Sequence, residues 1–521
     1  MRAAFAPRPS PARPRDREVA PARARGSALG VGRASSFGRS SGGGGSTRRN
    51  AGIDPTAATT TEDDREDAGE DPVSASASPA DSASASPADS ASASPADSAS
   101  LPDGVATERG VPFHVRGAFY RAESRQARDL AVLLASDMSD PPRILDAMAG
   151  TGVRCARYLL QSGASHVHAN DASRDAHDAL LSTVCDLRAS GVGADARRPG
   201  STVAVTRRDA RRLLAGMYAA DDERFDIVDV DSFGVDNFVD AALPMVKHGG
   251  YLYVTCTDAL ALCGKNPPAL SSRFGGAHVA ANVPGVNETA LRVFVGDAVR
   301  RGAAQGLRLT PVFSLFHPHG PVFRAMLRVE PSAGAWTSDD VGYVGQCWEC
   351  GEARRLDGGK ELGGCFCHRC ADAGDVTVAM DVSGPMWLGP LHERETIRRL
   401  REREAAVGWD DDDETQGDAS SASAREETPK GQKTTAKLLE VFEEESDPNL
   451  PPFYHRTDEL GRAGRGMTGG IPPMDAWIAE LRRRGFAACK SHVDARGLKT
   501  NATVAEANSA ANAVTAAKAK R

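Results

Sequence analysis

From Gly104 onward the chain alternates short apolar runs, bounded by turn residues, with longer stretches whose apolar positions recur three and four residues apart. Arg143 to Ala147 predicts a first strand, Val153 to Gln161 a helix, Ser165 to Asn170 a second strand, and Ala172 to Arg188 a second helix. Val203 to Thr206, Phe225 to Val230 and Gly250 to Thr255 predict strands three to five, with helical patterns over Arg211 to Tyr218 and Asn237 to Val246 between them. Strands and helices alternating at these lengths predict a doubly wound parallel sheet. After strand five the rhythm changes. A long helix around Glu288 to Ala304 leads into two strands, Leu307 to Leu315 and Val322 to Val329, joined by His317-Pro318-His319-Gly320, a terminal antiparallel hairpin.

Beyond Glu330 comes a cysteine cluster, then Gly384 to Pro390 and a charged helix from Leu391 to about Ala406. An acidic, Ser-rich stretch over 410–430 is predicted to be disordered, structure resumes near Thr434, and Pro473 to Arg484 predicts another helix. The Ala-rich tail 503–521 reads as frayed helix or coil. Upstream, the octad Ala-Ser-Ala-Ser-Pro-Ala-Asp-Ser runs three times from Ala75, Ala83 and Ala91, and 51–103 is a disordered linker too poor in large apolar residues to stack. The division is therefore 1–50 basic leader, 51–103 linker, 104–330 sheet domain, 331–502 second domain and 503–521 tail.

The net charge of −7 hides segregation: the first fifty residues carry eleven arginines against Asp16 and Glu18. Arg-rich, Ser-rich and acid-poor, with no long apolar run, this start reads as a transit peptide and predicts a chloroplast location, with mitochondrion or nucleus as alternatives. The same composition also suits a basic arm that touches RNA. No segment is long and apolar enough to span a membrane, and nothing points to an obligate protein partner.

Chemistry concentrates at the predicted strand ends, where open parallel sheets bind ligands. Asp146 ends strand one, and Gly150 and Gly152 let backbone approach a ligand that a Cβ would obstruct. The third glycine of a dinucleotide fingerprint is absent, which favours a cofactor without a pyrophosphate. Asp171, after strand two, is placed to accept from ribose hydroxyls, or to cap the next helix, or both. Asp209-Ala210 after strand three suits an adenine amino group and ring edge. Together these positions describe S-adenosylmethionine. Strand four ends Asp229-Val230-Asp231-Ser232-Phe233, an acid followed by an aromatic where amino methyltransferases hold the acceptor nitrogen. An exocyclic base amine has its lone pair delocalised into the ring, so Asp231 is the candidate catalytic carboxylate that orients it and takes up developing charge. Phe233 is the candidate stacking surface for a flipped base. The predicted fold class is α/β: a Rossmann-like class I methyltransferase sheet with a C-terminal α+β zinc-containing domain.

The chain resembles the tRNA guanine-N2 dimethyltransferases that modify position 26. The resemblance runs through Phe119-Tyr120 to Arg128-Asp129, the Asp146 to Arg154 turn, Asn170-Asp171, the Asp231 motif, Val254 to Gly264, Glu288, Ala290-Leu291-Arg292, the cysteine cluster, Gly384 to Leu391, Ser491-His492 and Lys499-Thr500. It implies that Arg128, Arg154, Asp171, Asp209 and Ala210 contact S-adenosylmethionine, that Asp231 is catalytic, and that tRNA is the partner. An Arg128 guanidinium can clamp the cofactor carboxylate. Ser232 stands where this family has proline, and Arg121-Ala122 where it has Asn-Pro. Two other readings stay open: an RNA folding partner with little catalysis, and an amino methyltransferase acting on another tRNA base.

Cys347-x2-Cys350 and Cys367-x2-Cys370, sixteen residues apart, form a tetrahedral metal pattern that predicts structural zinc, with Cys365 and His368 as possible substitutes for one ligand. Arg354, Arg355, Lys360, Arg369, Arg482, Arg483, Arg484, Lys490 and Lys499 are candidates to track tRNA phosphates.

Overall fold

The computed structural model describes residues 104–189, 197–232, 238–281, 283–318, 320–332, 340–356, 361–362, 364–374, 377–409, 433–462 and 464–519. Phe233, Lys360, the leader 1–50, the repeats and the acidic stretch 410–430 lie outside the described residues.

A hairpin of β1 (Val105–Glu108) and β2 (Val111–His114) and helix α1 (Arg125–Asp137) precede the sheet. The predicted alternation then follows: β3 (Arg143–Asp146), α2 (Val153–Gln161), β4 (His166–Asn170), α3 (Arg174–Ala189), β5 (Thr202–Thr206), α4 (Ala210–Ala219), β6 (Phe225–Val230), a single-turn α5 (Val239–Ala242) and β7 (Val246–Cys256). Short α6 (Ala259–Leu262) and α7 (Pro267–Arg273) lead to α8 (Val286–Ala304), β8 (Leu307–His317) and β9 (Val322–Pro331). Seven strands pair in the order β5-β4-β3-β6-β7-β9-β8. The first five are parallel, while β9 inserts antiparallel between β7 and β8. Strand order reverses at β3/β6, which opens a crevice at the carboxyl ends of those strands.

One prediction between β6 and β7 fails. The helical pattern over Asn237 to Val246 yields only α5 and a 3-10 turn at Leu243–Met245, since Pro244 interrupts it, and Val246 already belongs to β7. Strand five therefore starts earlier than Gly250, with a register shift against β6 as it passes the glycine pair.

Alternate residues of the strands face opposite sides. Ile144, Ile227 and Tyr253 join α1 and α2 in one apolar cluster; Leu145, Val228 and Leu252 join α4 and α8 in the other. The remainder of the chain packs on both. Strands β10 (Val341–Gln346), β11 (Ala353–Leu356) and β12 (Asp381–Trp387) form a small sheet in the order β11-β10-β12, with α9 (His368–Asp372) beside the cysteines. Trp387, Leu388 and Leu391 bury into the α8 side, whereas α10 (Arg394–Val407) and α11 (Thr435–Glu445) put Ile397, Leu400, Leu438 and Phe442 into the α1 side.

Last come β13 (His455–Arg456), α12 (Thr457–Leu460), α13 (Met474–Arg483), β14 (Ala488–Lys490), β15 (Gly497–Thr500) and α14 (Val504–Ala519). The Ala-rich end is thus an ordered helix over its first turns rather than frayed chain. Ala507, Ala510 and Ala511 are buried with Trp477 in one core, and the indole Nε1 donates to the Ala507 carbonyl at 2.8 Å. Small side chains let the helices approach closely, a packing concealed in the sequence because alanines spread around the helix mark no apolar face. Among the described residues no helix is long and apolar enough to cross a membrane.

Candidate active site and cysteine centre

The turn after β3 sets the floor of a cavity of about 320 Å³, a volume within the range of small-molecule sites. Gly150 and Gly152 have φ of +55° and +81°, and a Cβ on Gly152 would stand 2.7 Å from the Leu180 side chain, so only glycine makes this turn without strain. Asp171 fastens the turn: its Oδ2 accepts from the Gly150 N–H at 2.9 Å and its Oδ1 from the Ser173 N–H at 2.9 Å. Asn170, fully buried, donates to the carbonyls of Ala147 and Arg208 and accepts from the Arg208 N–H at 2.9 Å, tying the ends of β3, β4 and β5 together.

Arg128, Asp146, Gly150, Arg154 and Asp231 line the cavity together with Phe119, Tyr120, Met148, Thr257 and Arg324. Gly152, Asp171, Asp209 and Ala210 do not. Asp209 instead caps α4, its Oδ1 accepting from the Arg212 N–H at 3.0 Å, and Ala210 is buried behind it.

Asp229 in β6 and Asp231 just past its end point the same way, and Arg154 on α2 reaches both: Nη1 bonds Asp229 Oδ1 and Nη2 bonds Asp231 Oδ2 at 2.6 Å. Tyr158, one turn along, donates to Asp229 at 3.1 Å. From β9, Arg324 Nη2 stands 3.2 Å from Asp231 Oδ1. Burial pushes the Asp231 carboxyl upward, yet the Arg324 and Arg154 guanidiniums outweigh it and hold the group well below the usual carboxylate range. Asp231 is therefore an ionised hydrogen-bond acceptor, with 23% of its side chain exposed. Asp146 differs. It is buried, neither carboxylate oxygen has a hydrogen-bond partner, and burial reinforced by the charges of Asp229, Asp231 and Asp171 raises its pKa despite Arg154. An unmet buried carboxylate facing a cavity is a group awaiting a ligand.

Three members of this site escaped the sequence: Glu108, Phe119 and Arg324. Glu108 is fully buried and ion-pairs Arg128 and Arg157. The Phe119 ring is 60% exposed on the cavity wall. Arg324 in β9 carried no motif, and Phe119-Tyr120 entered only as part of the family resemblance, with no role given to the Phe119 ring. Ser232, buried, donates its hydroxyl to the Thr255 carbonyl at 3.1 Å, so the residue found where proline was expected ties β6 to the end of β7.

Away from the sheet, Cys347, Cys350, Cys367 and Cys370 bring their sulfurs within 4.8 Å of one another, with Sγ–Sγ distances of 3.8 Å for Cys347–Cys370 and 3.4 Å for Cys350–Cys367. Four thiolates on one tetrahedral ion at roughly 2.3 Å stand about 3.8 Å apart, so the donor set fits zinc. Cys365 and His368 offer no atom to this group.

Lys499 corrects an expectation. It is buried, its Nζ 2.5 Å from Glu288 Oε1 on α8 and 3.7 Å from Glu445 Oε1, and so cannot track phosphates. Arg292 pairs with Glu288 at 2.9 Å, and Glu445 also holds His492 and, at 3.3 Å, His392. His392, Glu445 and His492 lie close enough to hold a metal, but the Lys499 ammonium already meets the charge of Glu445.

The family described as N2,N2-dimethylguanosine tRNA methyltransferase matches residues 105–510. The chain is 30% identical over 391 residues to the tRNA (guanine(26)-N(2))-dimethyltransferase of Thermococcus kodakarensis, covering 74% of this chain and 90% of that protein. It is 29% identical to the enzyme of the same name from Methanospirillum hungatei, again over 74% and 90%. The fold is similar to that of Trm1 from Pyrococcus horikoshii solved with S-adenosyl-L-methionine, at a TM-score of 0.60 and 23% identity over 78% of this chain and 99% of that one. The chain belongs to the N2,N2-dimethylguanosine tRNA methyltransferase family, whose members transfer methyl groups from S-adenosylmethionine to the N2 amine of a guanine in tRNA.

Proposed function

We propose that the acceptor is guanine 26 of tRNA, that the product is N2,N2-dimethylguanosine, and that Asp231 is the catalytic carboxylate. Bound S-adenosylmethionine supplies an electrophilic methyl on a sulfonium. The observation that carries the reading is the ionised Asp231 carboxylate presented to the cavity between Arg154 and Arg324. A carboxylate so strongly held is a poor proton store and a good acceptor. It orients the guanine N2–H bonds, offsets the positive charge that grows on nitrogen, and leaves the proton to pass to water.

The exposed Phe119 ring offers a flipped purine a face to stack on, a role the sequence assigned to Phe233. In this reading Arg128 meets the cofactor carboxylate, and Asp171 accepts from ribose hydroxyls through the lone pairs its two backbone donors leave free. Asp209 keeps its second oxygen for the adenine amino group, above Ala210. Asp146, Gly150, Gly152 and Arg154 shape the floor. The four cysteines hold a structural zinc, and residues 1–50 direct the protein to plastids.

Labelled S-adenosylmethionine incubated with purified protein and tRNA transcripts carrying G26 or A26 tests the central claim. Methyl incorporation only into the G26 transcript, recovered as dimethylguanosine, is expected; incorporation at another base, or none, overturns it. Fusing residues 1–50 to a fluorescent protein tests the address.

A further inference from the structure

Arg128 reaches the cavity from α1 with one edge of its guanidinium already engaged. Nε donates to both oxygens of Glu108, at 2.8 and 3.1 Å; Nη2 also pairs with Glu108 and donates to the Arg121 carbonyl at 3.0 Å. Among the described residues, Nη1 has no hydrogen-bond partner and is not sealed from solvent. The guanidinium plane is fixed as well, since it lies over the Tyr120 ring at 5.2 Å and the Tyr120 hydroxyl donates to the same Glu108 at 2.9 Å. Both Arg128 and Tyr120 line the cavity.

Glu108 does not line the cavity. It is fully buried behind it at the end of β1, where Arg157 Nη1 donates to it at 2.8 Å and also pairs with Asp129 at 2.7 Å. Burial would neutralise such a carboxyl, but Arg128 and Arg157 hold it down at about 2. A charge kept ionised in the interior, touching two wall residues at once, sets where those residues stand.

We propose that Glu108 is a positioning residue for the cofactor: by occupying the Nε/Nη2 edge of Arg128 and the Tyr120 hydroxyl, it aims the remaining guanidinium nitrogen at the carboxylate of S-adenosylmethionine. The inference rests on the reading that this cavity takes that cofactor. An arginine whose rotamer is fixed before binding loses less freedom when it meets a carboxylate, so the device acts on affinity for the amino-acid end of the ligand alone.

The test is calorimetric titration of the full chain with two ligands, S-adenosylmethionine and 5′-methylthioadenosine, which shares the nucleoside and sulfur but lacks the amino-acid portion. Glu108→Gln is expected to raise the Kd for S-adenosylmethionine about tenfold or more while the Kd for methylthioadenosine stays within about twofold. Glu108→Asp keeps the charge and serves if the glutamine variant does not fold; it is expected to weaken S-adenosylmethionine by a smaller factor with the same selectivity. In Arg128→Gln, adding the Glu108 change should cost no further affinity. Equal weakening of both ligands, or an unchanged Kd for S-adenosylmethionine, overturns the proposal and leaves the cavity assignment standing. Failure of the unaltered chain to bind either ligand overturns both.

Discussion

Among the knots of buried charge in this molecule, one lies at the carboxyl ends of β3 and β6 and another where α8 meets the C-terminal segments. At the first, three carboxylates, Asp146, Asp229 and Asp231, face two guanidiniums, Arg154 and Arg324, and Asp146 is left without a partner. At the second, Glu288 and Glu445 face Arg292 and Lys499, two against two. A knot whose groups are all paired docks one part of a chain on another, whereas one that leaves the Asp146 carboxyl unmet beside a cavity has room for a further partner. In the reading proposed above, that partner is the cofactor's sulfonium.

The cysteine centre gives the sharpest way to separate the regions. Cys347→Ser, or chelation, should take bound zinc from one ion per chain to none and destabilise the C-terminal part by on the order of 10 kcal/mol, read by metal analysis and thermal melting. Asp231→Asn should lower kcat by about 100-fold or more and, because it leaves the buried Arg154 and Arg324 short of a partner, lower the melting temperature as well; a variant that methylates normally removes the carboxylate from the mechanism.

Acid should loosen the C-terminal segments before the β1 and α1 elements that hold Glu108. Burial, above all, holds His392 and His455 down at about 4, below an ordinary value of 6.5. These imidazoles are neutral when folded, so their contribution is complete above pH 6.5 and is lost as pH falls toward 4, about 3 kcal/mol each. Glu108, lowered from 4.5 to about 2, keeps its contribution down to pH 4.5 and loses it as pH falls through 2. Hydrogen exchange across pH 7 to 4 should therefore show amides around His392 and His455 losing protection before those of β1 and α1; the reverse order would break the comparison.

Smaller effects test the cavity itself. Asp146 is raised chiefly by burial, and a cation arriving beside it favours its ionised form, so cofactor binding should release protons. Calorimetry in two buffers of different ionisation enthalpy reads this release, and Asp146→Asn should abolish it. Ser232→Ala removes one hydroxyl bond to the Thr255 carbonyl and should cost about 1 kcal/mol by denaturant melting.

Legibility differed between the same two regions. The sheet was plain because its central strands β3 and β6 are buried on both faces and read as short apolar runs; β6 came out with its observed ends, Phe225 and Val230. The cysteine pairs were plain from their spacing, while only the folded chain sets Cys365 and His368 apart from the other four. What stayed hidden was long-range pairing. Nothing local marks Glu108 as the partner of Arg128 or Arg324 as the partner of Asp231, since each pair lies 20 or more residues apart. Lys499 looked like a surface cation for the same reason, its counter-charge Glu288 being 211 residues away. Asp171 and Asp209 were placed correctly at strand ends, but their backbone bonds could be seen only once the turns were built.

Asp129, which pairs with Arg157, is also met by Arg109 from the turn between β1 and β2, Nη2 to Oδ2 at 2.7 Å. Arg109 Nη1 donates to the Trp409 carbonyl at 2.6 Å, and Thr435 donates to Asp129 at 2.9 Å. The residues bracketing 410–432 are thus clasped by the same pair of charges, independently of the peptide connection between them. A circularly permuted chain, opened within that interval, should keep both helices in register.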